Sequence, residues 1–424
     1  MFSRSLAMSE IIEIARISRM HAYTFVAVAM GFFIWGMLST FAPISTLISS
    51  FIPKSMYVLV LTLPLIFALL GNFIMGVFAD RLGRKLAFMI TMLSYGIGVV
   101  LFMVSQSLPV LMASLFLTQF GVGGEEPALL ALLSENFPVR YRGAVLALMP
   151  NFANIGAAVA SGIAILTAGA FYPTKVAIGI TALIAIAVLI VSRLLMPESI
   201  RWMEIKGRAE AARSYVSGLS VTNERFEPVV PSTGIWFRFA FLAVIGISQF
   251  LSFGLMAYIL GPAEFPSLTA QILFVANVGA SVAGFVGAYI VNTVSRKAYT
   301  LFSYLGGLVT MFLILPFAST SSLAIFYVLL FLNMAFSEFA WIARTVLEPE
   351  LFPTGMRASM IATIRVLAYG TYIGSIFLTF SFTVFQYIIY NVGLWLLGVV
   401  GATMWLLRGF ETAGRSLRGL DGRP

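Results

Sequence analysis

The sequence predicts an all-α membrane protein, twelve transmembrane helices in two pseudo-symmetric six-helix bundles, and three observations predict it. Of its 424 residues 60% are hydrophobic and only 10% charged, with a mean hydropathy of +0.98. That is too little charge to clothe a soluble protein of this size. The apolar residues fall in blocks of about 20, the length that crosses a bilayer as helix. A short motif at Glu135 recurs at Glu350, on loops six spans apart.

In chain order the spans fall near 23–43, 56–78, 86–104, 110–134, 144–168, 176–195, 235–260, 267–291, 300–317, 323–346, 359–381 and 384–407. Ahead of them, Arg4, Glu10, Glu13, Arg16 and Arg19 mark a cytoplasmic amphipathic lead-in rather than a cleaved leader. Of the 26 Lys and Arg, only Lys54 and Lys175 fall on odd-numbered, outer loops. This positive-inside bias places both termini in the cytoplasm of a multi-pass protein of the cell membrane. The net charge of +9 thus sets topology and meets anionic lipid, and nucleic acid is not an expected partner.

The only long polar segment is 196–234, where Glu198, Arg201, Glu204, Lys206, Arg208, Glu210 and Arg213 stand at helical spacing. It reads as a linker with short surface helices. It separates an N-terminal bundle (1–195) from a C-terminal bundle and tail (235–424). The chain has no Cys, and His21 is its sole histidine. Thiolate or histidine metal sites, and catalysis by those groups, are therefore not expected, nor is a cofactor.

The repeat is specific. Glu135-Asn136-Phe137-Pro138 with Arg142 follows the fourth span, and Glu350-Leu351-Phe352-Pro353 with Arg357 follows the tenth. Duplicated halves of this kind belong to secondary transporters, whose solute site lies between the halves at mid-membrane. After the second span, Gly76-Val77-Phe78-Ala79-Asp80-Arg81-Leu82-Gly83-Arg84-Lys85 resembles the G-x-x-x-D-R-x-G-R-K signature of the major facilitator superfamily, in the loop where that family carries it. A worn copy, Asn292 to Lys297, follows the eighth span. Gly121 to Pro127 is similar to the fourth span of the metabolite, phosphate and organic-ion proton symporters. Pro197-Glu198-Ser199-Ile200-Arg201-Trp202 resembles the P-E-S-P-R-W segment of sugar porters. The first span lacks the acidic residue usual in sugar porters, their paired glutamines reduce to Gln249, and the G-x-x-x-G-P pattern of drug antiporters is missing from the fifth span.

The resemblance implies a major facilitator fold and a cytoplasmic latch built from Gly76, Asp80, Arg81, Gly83, Arg84, Lys85, Glu135 and Arg142, with Glu350 and Arg357 as second-half counterparts. Ionisable groups at bilayer depth cost about 2.5–3.5 kcal/mol each on insertion scales and mark function. Glu125 lies about 15 Å from the cytoplasmic edge at helical rise and is the favoured proton-binding carboxylate, with its neighbour Glu126 second. Glu338 sits at similar depth in the tenth span. Burial disfavours charge, as proton loading requires. Arg365, about 12 Å up the eleventh span, suits a carboxylate or phosphate through its two-pronged donors. Asn72, Gln119, Asn151, Asn154, Gln249, Tyr258, Asn277, Asn333, Trp341, Tyr369 and Tyr372 could shape a cavity. Gln249 and Trp341 are the preferred solute contacts, with Asn333 and Tyr369 beside Arg365. Small residues of the fifth span (Gly156 to Gly162) and Gly279, Gly284 and Gly287 of the eighth are expected on the half–half boundary.

The expected function is secondary active transport of a small solute by alternating access in proton-coupled symport, with an organic or inorganic anion favoured. A sugar or polyol carrier is the alternative, ahead of a drug or cation exporter, a channel or a receptor. The expected partners are the solute, protons and the bilayer, and a monomer is expected.

Overall fold

The computed structural model describes residues 11–415, except 13, 83, 197, 199–202, 204–206, 208, 223–226, 228, 319–321 and 354–355. For 76–77, 79–82, 84–85, 126–128, 130–131, 134–135, 209, 211–212 and 357–358 it describes the backbone alone. Among these residues, 12 helices are long and apolar enough to cross a membrane: Arg19–Ile48, Lys54–Met75, Leu86–Val104, Leu108–Glu125, Val139–Leu166, Phe171–Leu195, Ile235–Glu264, Pro266–Ile290, Arg296–Phe317, Leu323–Leu351, Ser359–Thr379 and Val384–Arg408. The β structure among the described residues is one isolated bridge, Ala15 to Val221.

Helix ends follow local chemistry. The last span opens on a capping box, with Thr383 and Gln386 satisfying each other's backbone N–H. Both repeated loops stop their helices identically. Phe137 (φ −106°, ψ 141°) and Phe352 (φ −116°, ψ 141°) are extended, because the proline that follows each excludes the helical region.

The packing repeats with a shift of six. The first span packs on the fifth and sixth, the second on the fourth, and the third on the fourth and sixth; the seventh packs on the eleventh and twelfth, the eighth on the tenth, and the ninth on the tenth and twelfth. The fifth and eighth spans form the main seam between halves, joined by contacts of fifth with tenth and second with eleventh. Gly284 is needed at that seam, since a Cβ there would lie 2.1 Å from Asn151 Cγ. Gly156 and Gly279 serve packing within a half instead, against the carbonyls of Phe33 and Phe331. The lead-in docks on the linker: Ile12 packs with Met203 and Val216, and Arg16 N donates to Ser220 O at 2.8 Å.

Candidate functional site

A cavity of about 870 Å³, counted with its opening, lies between the halves. Spans one, two, four and five line one side, and spans seven, ten and eleven the other. Seven aromatic rings face it, from Trp35, Phe250, Phe253, Tyr258, Trp341, Tyr369 and Tyr372, and among the described residues no Asp, Glu, Lys, Arg or His does. Trp35 and Trp341 meet edge to face across the seam at 5.8 Å, and Phe250 leans on Tyr369 at 4.7 Å. Two polar atoms are buried without a partner, Gln249 Oε1 and Trp341 Nε1. Facing a cavity, such groups can take a hydrogen bond from, or give one to, a molecule inside it.

The seventh span carries a local distortion at the cavity. It winds a π-turn at Leu255–Ile259, a distortion frequent at functional sites, and Tyr258 and Ile259 reach the cavity. Gly254 precedes the turn because a Cβ there would lie 2.4 Å from Tyr372 Cζ. Leu146 and Met149 of one half share a buried apolar cluster with Val291, Trp341 and Val346 of the other.

Of the solute contacts expected from sequence, Gln249, Trp341 and Tyr369 line the cavity. Asn333 does not: about 80° round the helix from Trp341, it donates to Gly307 O and Thr310 Oγ1, both at 2.9 Å, in the ninth span. Arg365 stands outside the lining as well. Its Nη2 is 3.9 Å from Glu348 Oε2, and Arg344 approaches the same carboxylate at 3.6 Å.

The buried acids have different settings. Glu125 receives both arms of Arg193, at 2.7 and 2.6 Å, and the Thr91 hydroxyl at 2.5 Å. Arg193 also lies over the Phe88 ring at 4.4 Å. In this bidentate pair, Glu125 lines a small pocket with Trp35, apart from the cavity. Glu338 is fully buried. Its Oε2 accepts from Asn154 Nδ2 at 2.8 Å, its Oε1 has no partner, and among the described residues no cation pairs with it. Asn154 itself lines the cavity, so this carboxyl is one side chain away from it.

Of the expected latch, Arg142 and Glu350 are buried. Glu350 pairs with Arg296 at 3.4 Å and accepts from Thr412 Oγ1 at 2.5 Å. Next to Arg142, Gly143 is pressed on the worn loop, where a Cβ would lie 2.3 Å from Asn292 Oδ1. The expected site residues Gly76, Asp80, Arg81, Gly83, Arg84, Lys85, Glu126, Glu135 and Arg357 lie outside the described side chains. Arg193, Arg296 and Glu411 were not anticipated as site residues; for Arg296 the worn loop motif was the available signal.

Glu411 ties the tail to this network. It accepts from Ser295 Oγ at 2.6 Å and from the N–H groups of Arg296, Thr412 and Ala413. Burial alone would raise its carboxyl; these hydrogen bonds outweigh burial and hold it below the ordinary 4.5. Its stabilisation is therefore present at neutral pH and lost as pH falls through the lowered value. Glu411→Gln should lower the melting temperature in detergent at pH 7, by an amount worth about 1–2 kcal/mol, and the difference from wild type should vanish toward pH 3. A gap that persists in acid would refute the assignment.

Comparison with known proteins agrees with this geometry. The "Putative niacin/nicotinamide transporter NiaP" of Bacillus subtilis is 28% identical over 308 residues, 72% of this chain and 73% of that protein. The "Plastidic glucose transporter 4" of Arabidopsis thaliana is 26% identical, over 84% of this chain and 70% of that one. Among solved structures, the proton:xylose symporter XylE bound to 6-bromo-6-deoxy-D-glucose superposes with a TM-score of 0.74 at 16% identity, covering 95% of this chain and 98% of that one; XylE is from E. coli. The sequence profile of the Major Facilitator Superfamily matches residues 24–379. With twelve spans, a packing pattern repeated between halves and a cavity at their seam, the chain belongs to the Major Facilitator Superfamily and is a multi-pass membrane transporter of small solutes.

Proposed function

We propose that the protein carries a small, uncharged, planar aromatic solute of the nicotinamide kind together with a proton, by alternating access between its halves. The observation that carries this reading is the cavity wall: seven aromatic rings, no charged lining side chain among the described residues, and two unpartnered polar atoms on Gln249 and Trp341. Flat heteroaromatic rings stack in such walls, while an amide group answers Gln249 and the Trp341 indole. The niacin/nicotinamide relative supports the same class. The anion expected from Arg365 loses weight, because that arginine stands beside Glu348 and outside the lining. Glu338 is the proton-binding carboxyl of this reading, for its burial, its single donor and its nearness to the cavity through Asn154.

A hexose or polyol is the second reading, favoured by the plastidic glucose transporter relative. Uptake of labelled nicotinamide into proteoliposomes, challenged by nicotinate, glucose and myo-inositol, separates them. Nicotinamide itself should compete best, and Trp341→Ala should raise KM about tenfold, the worth of one aromatic contact. Competition by glucose alone would transfer the assignment to the second reading, and no saturable uptake of any of the four would refute both.

A further inference from the structure

We infer that Asn154 is a positioning residue through which occupancy of the cavity acts on the Glu338 carboxyl. This rests on the proton-coupled reading above and names the side chain that does the coupling.

Asn154 stands in the cavity wall, yet its amide nitrogen is turned into the seam. Nδ2 donates to Glu338 Oε2 at 2.8 Å and lies 3.3 Å from Asn151 Oδ1. An amide nitrogen has two hydrogens, and here both are committed. Asn151 in turn donates to the Ser281 carbonyl at 3.0 Å, seated over Gly284, where any side chain would strike it. The chain Ser281, Asn151, Asn154, Glu338 thus runs from the eighth span to the fifth and back to the tenth. It crosses between the halves twice, the places where rocking must part them.

For Glu338 this amide is the hydrogen-bond donor present among the described residues, and Oε1 has none. Tyr299 of the ninth span is the titratable side chain beside it, its hydroxyl also without a partner, with Arg296 beyond. A carboxylate stripped of its donor in a dry seam is the costliest state available to the group. A solute whose carbonyl oxygen draws the Asn154 amide toward the cavity therefore leaves Glu338 needing a proton. Loading the solute and loading the proton become one event.

The test compares wild type, Asn154→Ala, Asn154→Ser (too short to reach Glu338) and Asn151→Ala in proteoliposomes, each first shown monodisperse by size exclusion. Two rates are read with nicotinamide: accumulation driven by a pH gradient, and counterflow without one. Removing Asn154 should leave counterflow within about fivefold of wild type, the worth of one hydrogen bond, while accumulation falls to the level seen with no gradient. Asn151→Ala, which spares the donor to Glu338, should keep accumulation. The inference is overturned if either Asn154 variant still accumulates solute, or if accumulation and counterflow fall in step. Absence of gradient-driven accumulation in wild type would instead bring down the proton-coupled reading itself, before any substitution, and the inference with it.

Discussion

Arg193→Ala is expected to lower stability by about 3–5 kcal/mol, the cost of breaking a buried ion pair from one side. Glu125 is buried, and both its oxygens take hydrogen bonds from Arg193. Without the guanidinium it keeps the Thr91 hydroxyl as its described donor. The measurement is the melting temperature in detergent, with surface expression as a second readout. The double variant Glu125→Leu with Arg193→Met should recover most of the loss, since apolar side chains of similar volume often replace a buried pair at no cost. That variant also decides a question of function. If the pair is a rivet between the fourth and sixth spans, the repaired protein still accumulates solute against a pH gradient. A stable double variant that transports only downhill would return the proton to Glu125.

Glu125 and Glu338 show what the sequence could and could not reveal. The spans were legible because oil enforces a length and a polarity on every crossing helix. The twofold repeat was legible because Phe137-Pro138 and Phe352-Pro353 do the same local job, ending a helix in extended backbone. Distance from a helix end was legible too, since rise per residue is fixed. Facing was not. Glu125 and Glu338 stand at similar distances from the ends of their helices, but one meets an arginine 68 residues later and the other an asparagine in the opposite half. Neither pairing leaves a local pattern. Arg365 likewise stood at a plausible height for a solute anion, and only packing turns it to Glu348. Gln249, Trp341 and Tyr369 reach the cavity, while Asn333, an equally polar candidate, is spent on the ninth span. Periodicity sets how far up a helix a side chain lies; which neighbour it meets depends on contacts distant in the chain.

Glu338→Gln should abolish gradient-driven accumulation while preserving exchange. Glutamine keeps the volume, and its amide oxygen can still accept from Asn154 Nδ2, so the seam remains tied while the titrating proton is gone. One pH unit is worth about 1.4 kcal/mol per proton and sustains about tenfold accumulation in a tightly coupled carrier. The wild type should approach that ratio and the variant should show none. Counterflow should continue in the variant at a rate that no longer follows the pH. Pairing this substitution with Asn154→Ala makes the argument sharper. If the amide acts through the carboxyl, the double variant is no worse than either single one, a non-additivity that residues acting on separate steps do not produce. A Glu338→Gln protein that still concentrates solute would mean the proton crosses by another route, and Glu126, the neighbouring carboxyl of the fourth span, would be the next to replace.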